Sequence, residues 1–359
     1  MLIKRLQISN FRIFSETTIE PSDGLNLLFG ANATGKTSIL EAIGTLATLR
    51  SFRSAKLNEL TRYSADGFRV IALTEEQDGR RVMLGLEKNT KEIVLKAEGR
   101  RLQKVSELAF RLPVQIIHPD SHVLISGGPK QRRRFLDWGV FHVEPGFLEQ
   151  WRRYERSIRQ RNAAIRSGQS WQVVSTWDGL LSESAAAIHG YRQRYIEELN
   201  TVLPPFTESI FNVYSVEVEY QPGWDVEQDL RSVLDAYRER DKRRGFTCAG
   251  PHRAELLFRV NDKPADQHVS RGQQKMLVFA LLLSQVELLR QKTGRRCVLL
   301  LDDLAAELDT EHCRRLLDRV AEMSVQSFIT SVQKEAFLQN ILHPCKVFHV
   351  EPGNIREVI

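Results

Sequence analysis

The residues Gly30-Ala31-Asn32-Ala33-Thr34-Gly35-Lys36-Thr37 fit the spacing G-x-x-x-x-G-K-[ST], and the chemistry open to them is the holding of phosphate. An apolar run, Leu25 to Phe29, precedes them, and a helical pattern, Ser38-Ile39-Leu40-Glu41-Ala42-Ile43, follows. In that setting the loop N–H groups and the first helical turn are expected to cradle phosphate oxygens. Lys36 would reach the β- and γ-phosphates of ATP, and Thr37 would offer its hydroxyl to Mg²⁺. Ala33 occupies a slot that is often Gly in such loops but that the strict pattern leaves free.

Two further stretches bear on the same chemistry. Cys297-Val298-Leu299-Leu300-Leu301 is continuously apolar, the pattern of a parallel strand buried on both faces. Asp302 and Asp303 follow at its carboxyl end, where open parallel sheets place their ligands. Asp302 is expected to hold Mg²⁺ through water, and Asp303 to orient or deprotonate an attacking water. Alone they would read as a pair of solvated turn acids; the phosphate loop upstream gives them a use. Ser270-Arg271-Gly272-Gln273 opens an apolar helix expected from Gln274 to Leu289. Ser270 is a good N-cap, and capping is one reading. The other is that Ser270, Gly272 and Gln273 form a second anion site for a γ-phosphate. Such a site could not reach phosphates already held by its own subunit's loop. It would serve the ATP of a partner, which implies an ATP-dependent homodimer.

The elements that must position these residues read as α/β. Residues 1 to about 110 alternate short strands and turns, with punctuation at Asp66-Gly67, Asp78-Gly79 and Lys88-Asn89 between runs such as Val82–Leu86 and Ile93–Leu95. From about 130 to 245 the pattern is helical, charged and Trp-bearing, and from about 248 strands return. The expected division is 1–115 as the N-terminal part of an ATPase lobe, 116–247 as an inserted, mainly helical lobe, and 248–359 as the C-terminal part. There is no run of heptads, so no coiled coil is expected. In the inserted lobe Arg152, Arg156 and Arg159 share one helical stripe, with Arg153 to its side. The stripe suits phosphate contact or a solvated face over buried Trp151, Tyr154 and Ile158. Arg132-Arg133-Arg134 is open in the same way, with structural packing near the nucleotide as one reading. His252 reads as structural or interfacial, and the 9 His form no metal pattern.

The order of phosphate loop, S-x-G-Q run, L-L-L-D-D strand and Glu307-Leu308-Asp309 resembles the ABC-type ATPase heads of the SMC/Rad50/RecF group. Leu6-Gln7-Ile8-Ser9-Asn10-Phe11-Arg12 looks like that group's opening strand. Ser126-Gly127-Gly128-Pro129-Lys130, Arg132 to Trp138, and Gly250-Pro251-His252-Arg253 are similar to its bacterial recombination-mediator branch, over essentially the whole chain. The resemblance implies a P-loop ABC-type ATPase head that binds single-stranded or gapped DNA, dimerises with ATP and hydrolyses it slowly. It further implies recombinational repair and replication, partners RecO and RecR, help in loading RecA, and a link to the SOS response. Two departures from the strongest ABC pattern point to slow turnover, and so to ATP as a clamp. Asp303 stands where most ABC ATPases have Glu, and Thr330-Ser331, after an expected strand Ser327-Phe328-Ile329, stands where transporters usually carry His. The alternatives are a transporter's ATP-binding subunit and a DNA-binding switch that never hydrolyses its ATP.

Composition sets the outer bounds. With 359 residues the chain can build two domains with substantial cores. Lys+Arg 51 against Asp+Glu 45, a net +6, suits a polyanionic partner. Cys248, Cys297, Cys313 and Cys345 show no metal spacing and read as reduced thiols. Met1-Leu2-Ile3 is broken at once by Lys4-Arg5, against a signal peptide, and the longest apolar run, Met276 to Leu283, is too short to span a bilayer. A cytoplasmic protein with no membrane partner is the expectation.

Overall fold

The computed structural model of the chain describes residues 1–211, 215–304, 308–332, 334–338 and 343–358, with the backbone alone for 335 and 336. Along the chain the strands are β1 (Leu2–Phe11), β2 (Phe14–Ile19), β3 (Leu25–Phe29), β4 (Phe68–Glu75), β5 (Arg81–Lys88), β6 (Ile93–Ala97), β7 (Arg100–Arg101), β8 (Val114–Ile117), β9 (Val216–Gln221), β10 (Glu255–Val260), β11 (Lys263–Pro264), β12 (Val298–Leu301), β13 (Gln326–Ser331), β14 (Cys345–Glu351) and β15 (Asn354–Glu357). The chain forms two compact units, Met1–Ser121 with Ser209–Phe211 and Lys275–Ile359, and His122–Glu208 with Asn212–Gln274.

The first unit holds two sheets of 6 strands each. One is antiparallel, in the order β2-β1-β4-β5-β6-β7. The other, β15-β14-β3-β13-β12-β8, is parallel except for its edge strand β15. All four residues of β12 are buried, as a parallel strand covered on both faces requires. Between the sheets lies the helix Lys36–Thr48. Ile39, Leu40, Ile43 and Leu46 share one core with Leu28, Val298, Leu300 and Phe328 of the parallel sheet and with Leu6, Ile8, Val70 and Leu84 of the antiparallel one. Every residue from Ser38 to Ala47 is buried, so this helix has no solvated face. Each buried Ile or Leu contributes roughly 1.5–3 kcal/mol, so packing fixes the helix more than its intrinsic propensity does. The loops leaving the carboxyl ends of β3 and β12 carry the phosphate-loop motif and the Asp pair.

The second unit is built on the helices Pro129–Val143, Phe147–Arg166 and Asp178–Val202, with the antiparallel sheet β11-β10-β9. Residues 248–274, expected with the C-terminal part of the ATPase lobe, cluster with this unit. Its interior contains two fully buried arginines. Arg161 donates to Asp178 Oδ1 (2.7 Å) and Asp241 Oδ2 (2.6 Å), and Arg192 to Asp137 Oδ1 (2.7 Å) and the Pro251 carbonyl (2.7 Å). Each thus places its charge against carboxylate, which burial demands. The longest described helices, Asp178–Val202 and Arg271–Thr293, have 25 and 23 residues, lengths of an ordinary globular fold and not of an extended coiled coil. Among the described residues no helix is long and apolar enough to cross a membrane.

Candidate nucleotide-binding site

The phosphate loop folds where the sequence places it, between β3 and the helix Lys36–Thr48. Its first glycine is sterically required, since a Cβ on Gly30 would lie 2.3 Å from the Val350 carbonyl oxygen. Gly35 has φ +106°, and a Cβ there would meet Ile13 and Phe14 side chains at 2.7 and 2.8 Å. Ala33 takes φ +64°, a left-handed conformation that explains why glycine is common at this slot. Thr34 donates to the Ala31 carbonyl (2.9 Å), and Lys36 Nζ donates to the carbonyls of Gly30 (2.7 Å) and Ala31 (2.8 Å). Burial lowers the Lys36 pKa, opposed by attraction from Asp303 and Asp302. The first turn of the helix carries no acidic side chain, so its exposed N–H groups and positive dipole end are not neutralised locally.

The Asp pair meets this loop. Thr37 Oγ1 donates to Asp302 Oδ1 at 2.8 Å, joining residues distant in sequence. The same carboxylate oxygen accepts from Thr330 Oγ1 at 2.9 Å, and Thr330 Oγ1 in turn accepts the Asp303 N–H at 2.8 Å. Asp303 has φ +53°. Thr330 and Ser331 are the last residues of β13 and do not follow it, which corrects the sequence expectation. The Thr330 hydroxyl is engaged with Asp302 and Asp303, because the parallel register carries β13 to the same end of the sheet as β12. Gly35, Lys36, Asp302, Asp303 and Thr330 line a cleft of about 530 Å³ together with Arg12.

Arg12, in the opening-strand pattern by sequence, also lines the cleft. It binds the fully buried Glu41 through two hydrogen bonds of 2.8 Å, and also Ser54 Oγ (2.6 Å) and the Glu59 carbonyl (2.9 Å). The available signal was Glu41 itself, a carboxylate in an otherwise apolar helix, which requires a cation.

The signature residues lie in the second unit. Ser270 Oγ accepts from Gln273 N (3.3 Å) and Gln273 Oε1 accepts from Ser270 N (2.9 Å), a reciprocal capping box at the start of Arg271–Thr293. Ser270, Gly272 and Gln273 are all exposed, so capping and anion contact are compatible. Glu307 lies outside the described residues.

Other polar residues of the second unit have structural partners. Arg132 forms a two-pronged pair with Glu255 (2.6 and 2.7 Å), Arg133 donates to the Ala254 carbonyl (2.8 Å), and Arg134 is exposed. His252 Nε2 lies 3.0 Å from the Thr247 carbonyl, which can only accept. That fixes the proton on Nε2 and leaves Nδ1 to accept from the Tyr154 hydroxyl at 2.7 Å. Burial chiefly lowers the His252 pKa, to about 4. Both of its ring nitrogens are thus engaged within this unit. On the Phe147–Arg166 helix Tyr154 and Ile158 are buried and Trp151 is half-buried, while Arg156 and Arg159 are exposed and Arg152 is half-buried. Among the described residues no group of three or more His, Cys, Asp or Glu could hold a metal ion, and all four cysteines are free.

A phosphate loop and an Asp-terminated strand on a parallel sheet, a capped signature helix and an intervening unit define an ABC-type ATPase head. The family model "RecF/RecN/SMC N terminal domain" matches residues 2–356. The "DNA replication and repair protein RecF" of Cellvibrio japonicus (strain Ueda107) is 40% identical, covering 99% of each chain, and that of Pseudomonas entomophila (strain L48) is 39% identical, covering 99% of this chain and 98% of the relative. The solved structure of the recombination mediator protein RecF-ATP in the RecFOR pathway superposes with a TM-score of 0.89 at 26% identity, covering 100% of this chain and 98% of the other. An Smc head domain from Pyrococcus furiosus, at 16% identity and TM-score 0.59, shares the fold over 99% of this chain and 96% of its own. This chain belongs to the RecF/RecN/SMC N terminal domain family, and within it to the RecF proteins.

Proposed function

We propose that this chain binds ATP with Mg²⁺ in the cleft between the phosphate loop and the Asp pair, and that ATP closes two copies into a DNA-binding clamp. The observation that carries this is the 2.8 Å contact of Thr37 with Asp302, which brings the two halves of the motif set together. A triphosphate would draw Lys36 from the Gly30 and Ala31 carbonyls, exchanging neutral acceptors for charged ones. The Thr37 hydroxyl and Asp302 carboxylate are hard oxygen donors of the kind Mg²⁺ accepts alongside water and phosphate. When bound, the ion neutralises phosphate charge. Asp303 orients the attacking water, and Ser270, Gly272 and Gln273 complete the site of the partner copy. Because ATP binds the closed dimer in preference to the open monomer, it stabilises the dimer by that difference, and hydrolysis removes it.

The role follows as a slow, DNA-stimulated ATPase acting at single-stranded or gapped DNA in recombinational repair and replication. RecO and RecR would be its partners, RecA loading its outcome, and the SOS response a process linked to it. This part rests on family membership. Titration with a fluorescent ATP analogue tests the site. Lys36→Ala is expected to weaken binding about 10- to 100-fold, as loss of a charged hydrogen bond implies, with melting temperature unchanged. Equal affinity in the two proteins would remove the assignment.

A further inference from the structure

We propose that Thr330 is the positioning residue of the Asp302–Asp303 pair, holding the Asp303 backbone in its left-handed conformation and the Asp302 carboxylate against Thr37 through one hydroxyl. Thr330 is only 1% exposed, so water does not substitute for the partners of its hydroxyl. It has one proton to give and gives it to Asp302 Oδ1, while its lone pair takes the Asp303 N–H. Asp303 has φ +53°, a region that costs a non-glycine residue about 1–2 kcal/mol. Such a conformation persists only where the surroundings impose it, and the bond from Thr330 is a fixed partner for its N–H. A left-handed residue after a strand also breaks the alternation of side chains, so this backbone sets where the Asp303 carboxylate points. Asp302 Oδ1 is held from two sides, by Thr37 and Thr330. One hydroxyl thereby links the two acids, a use the sequence does not reveal.

The catalytic consequence rests on the hydrolysis proposed above. There, the water oxygen forms a bond to the γ-phosphorus, and the bond to the β,γ-bridging oxygen breaks with its electron pair leaving on ADP. The water proton passes to the Asp303 carboxylate. A carboxylate about 1 Å out of place can cost about 100-fold in rate, so Thr330 acts on turnover through Asp303 without touching substrate.

Two measurements test this. The first needs no nucleotide: the Asp303 amide of the free protein should be protected from hydrogen exchange, and Thr330→Val should speed its exchange about tenfold. An Asp303 amide that exchanges freely in the wild type overturns the proposal. The second is steady-state ATP hydrolysis. Thr330→Val should lower kcat about 10- to 100-fold with KM for ATP within about threefold, and Thr330→Ser should restore most of the rate. In an Asp303→Asn background Thr330→Val should add little further loss, since the group through which it acts is already gone. Unchanged kcat in Thr330→Val, no rescue by Ser, or a full additional loss in the Asp303→Asn background each overturns it. A wild type that binds ATP but never hydrolyses it contradicts the proposed hydrolysis; the amide measurement then decides the positioning role alone.

Discussion

Asp302 and Asp303 are adjacent in sequence but differ in what they touch. Asp302 is buried and bonded to Thr37 and Thr330, whereas Asp303 is partly exposed to the cleft with its N–H on Thr330. The two should therefore fail differently. Asp302→Asn is expected to weaken Mg²⁺-dependent ATP binding about tenfold or more, because it removes charge from the oxygen donor proposed to hold the ion. Asp303→Asn should leave binding within about threefold and slow hydrolysis by about 100-fold or more, prolonging the ATP-bound dimer on DNA. Binding and single-turnover assays separate these, and identical phenotypes would undo the two roles. His252 gives a second prediction at this scale. An unfolded histidine titrates near 6.5, while burial holds His252 at about 4. Between those values the unfolded chain binds a proton that the folded one refuses, so stability is lost as pH falls through this window. One such group contributes a slope of at most about 1.4 kcal/mol per pH unit. Melting of His252→Gln against wild type over this range should show a shallower acid limb; parallel curves would mean that other groups dominate.

At the scale of elements, the helix Phe147–Arg166 carries both a surface and an interior. Arg156 and Arg159 are exposed, but Arg161 on the same helix is fully buried between Asp178 and Asp241 and also donates to Thr247 Oγ1 (2.9 Å). Arg161→Met removes the cation and leaves two carboxylates facing each other without compensation. Denaturant unfolding should show a loss of about 3–5 kcal/mol; a loss below about 1 kcal/mol, as for a surface pair, would contradict the account of this core. The contrast shows what the sequence discloses. The phosphate loop, the apolar strand and the acids after it were legible because their geometry is encoded in neighbouring residues. Arg161 was not, because its partners Asp178 and Asp241 reach it only through the packing of three helices. Arg12 with Glu41, and Thr330 with the Asp pair, were hidden for the same reason. β13 ends two residues later than its apolar core suggests, since Thr330 and Ser331 are polar but buried and paired within the sheet.

For the whole molecule, the phosphate loop and Asp pair belong to one compact unit and the exposed Ser270-Arg271-Gly272-Gln273 turn to the other. In the proposed dimer that turn is a phosphate ligand for a second copy, so ATP is a structural part of the dimer and not only its fuel. Ser270→Arg puts a bulky cation at the proposed contact while leaving Lys36 and Thr37 untouched. The variant should bind ATP as well as wild type does, yet fail to close and to hydrolyse. Mixing it with Lys36→Ala leaves one composite site whole, and partial activity should return. Sedimentation velocity with Mg²⁺ and ATP tests the central claim most directly. Wild type should shift from monomer to dimer on addition of ATP, and Ser270→Arg, with its nucleotide site filled, should remain a monomer. Dimerisation of Ser270→Arg at the wild-type concentration would contradict the account and make Ser270 an ordinary helix cap.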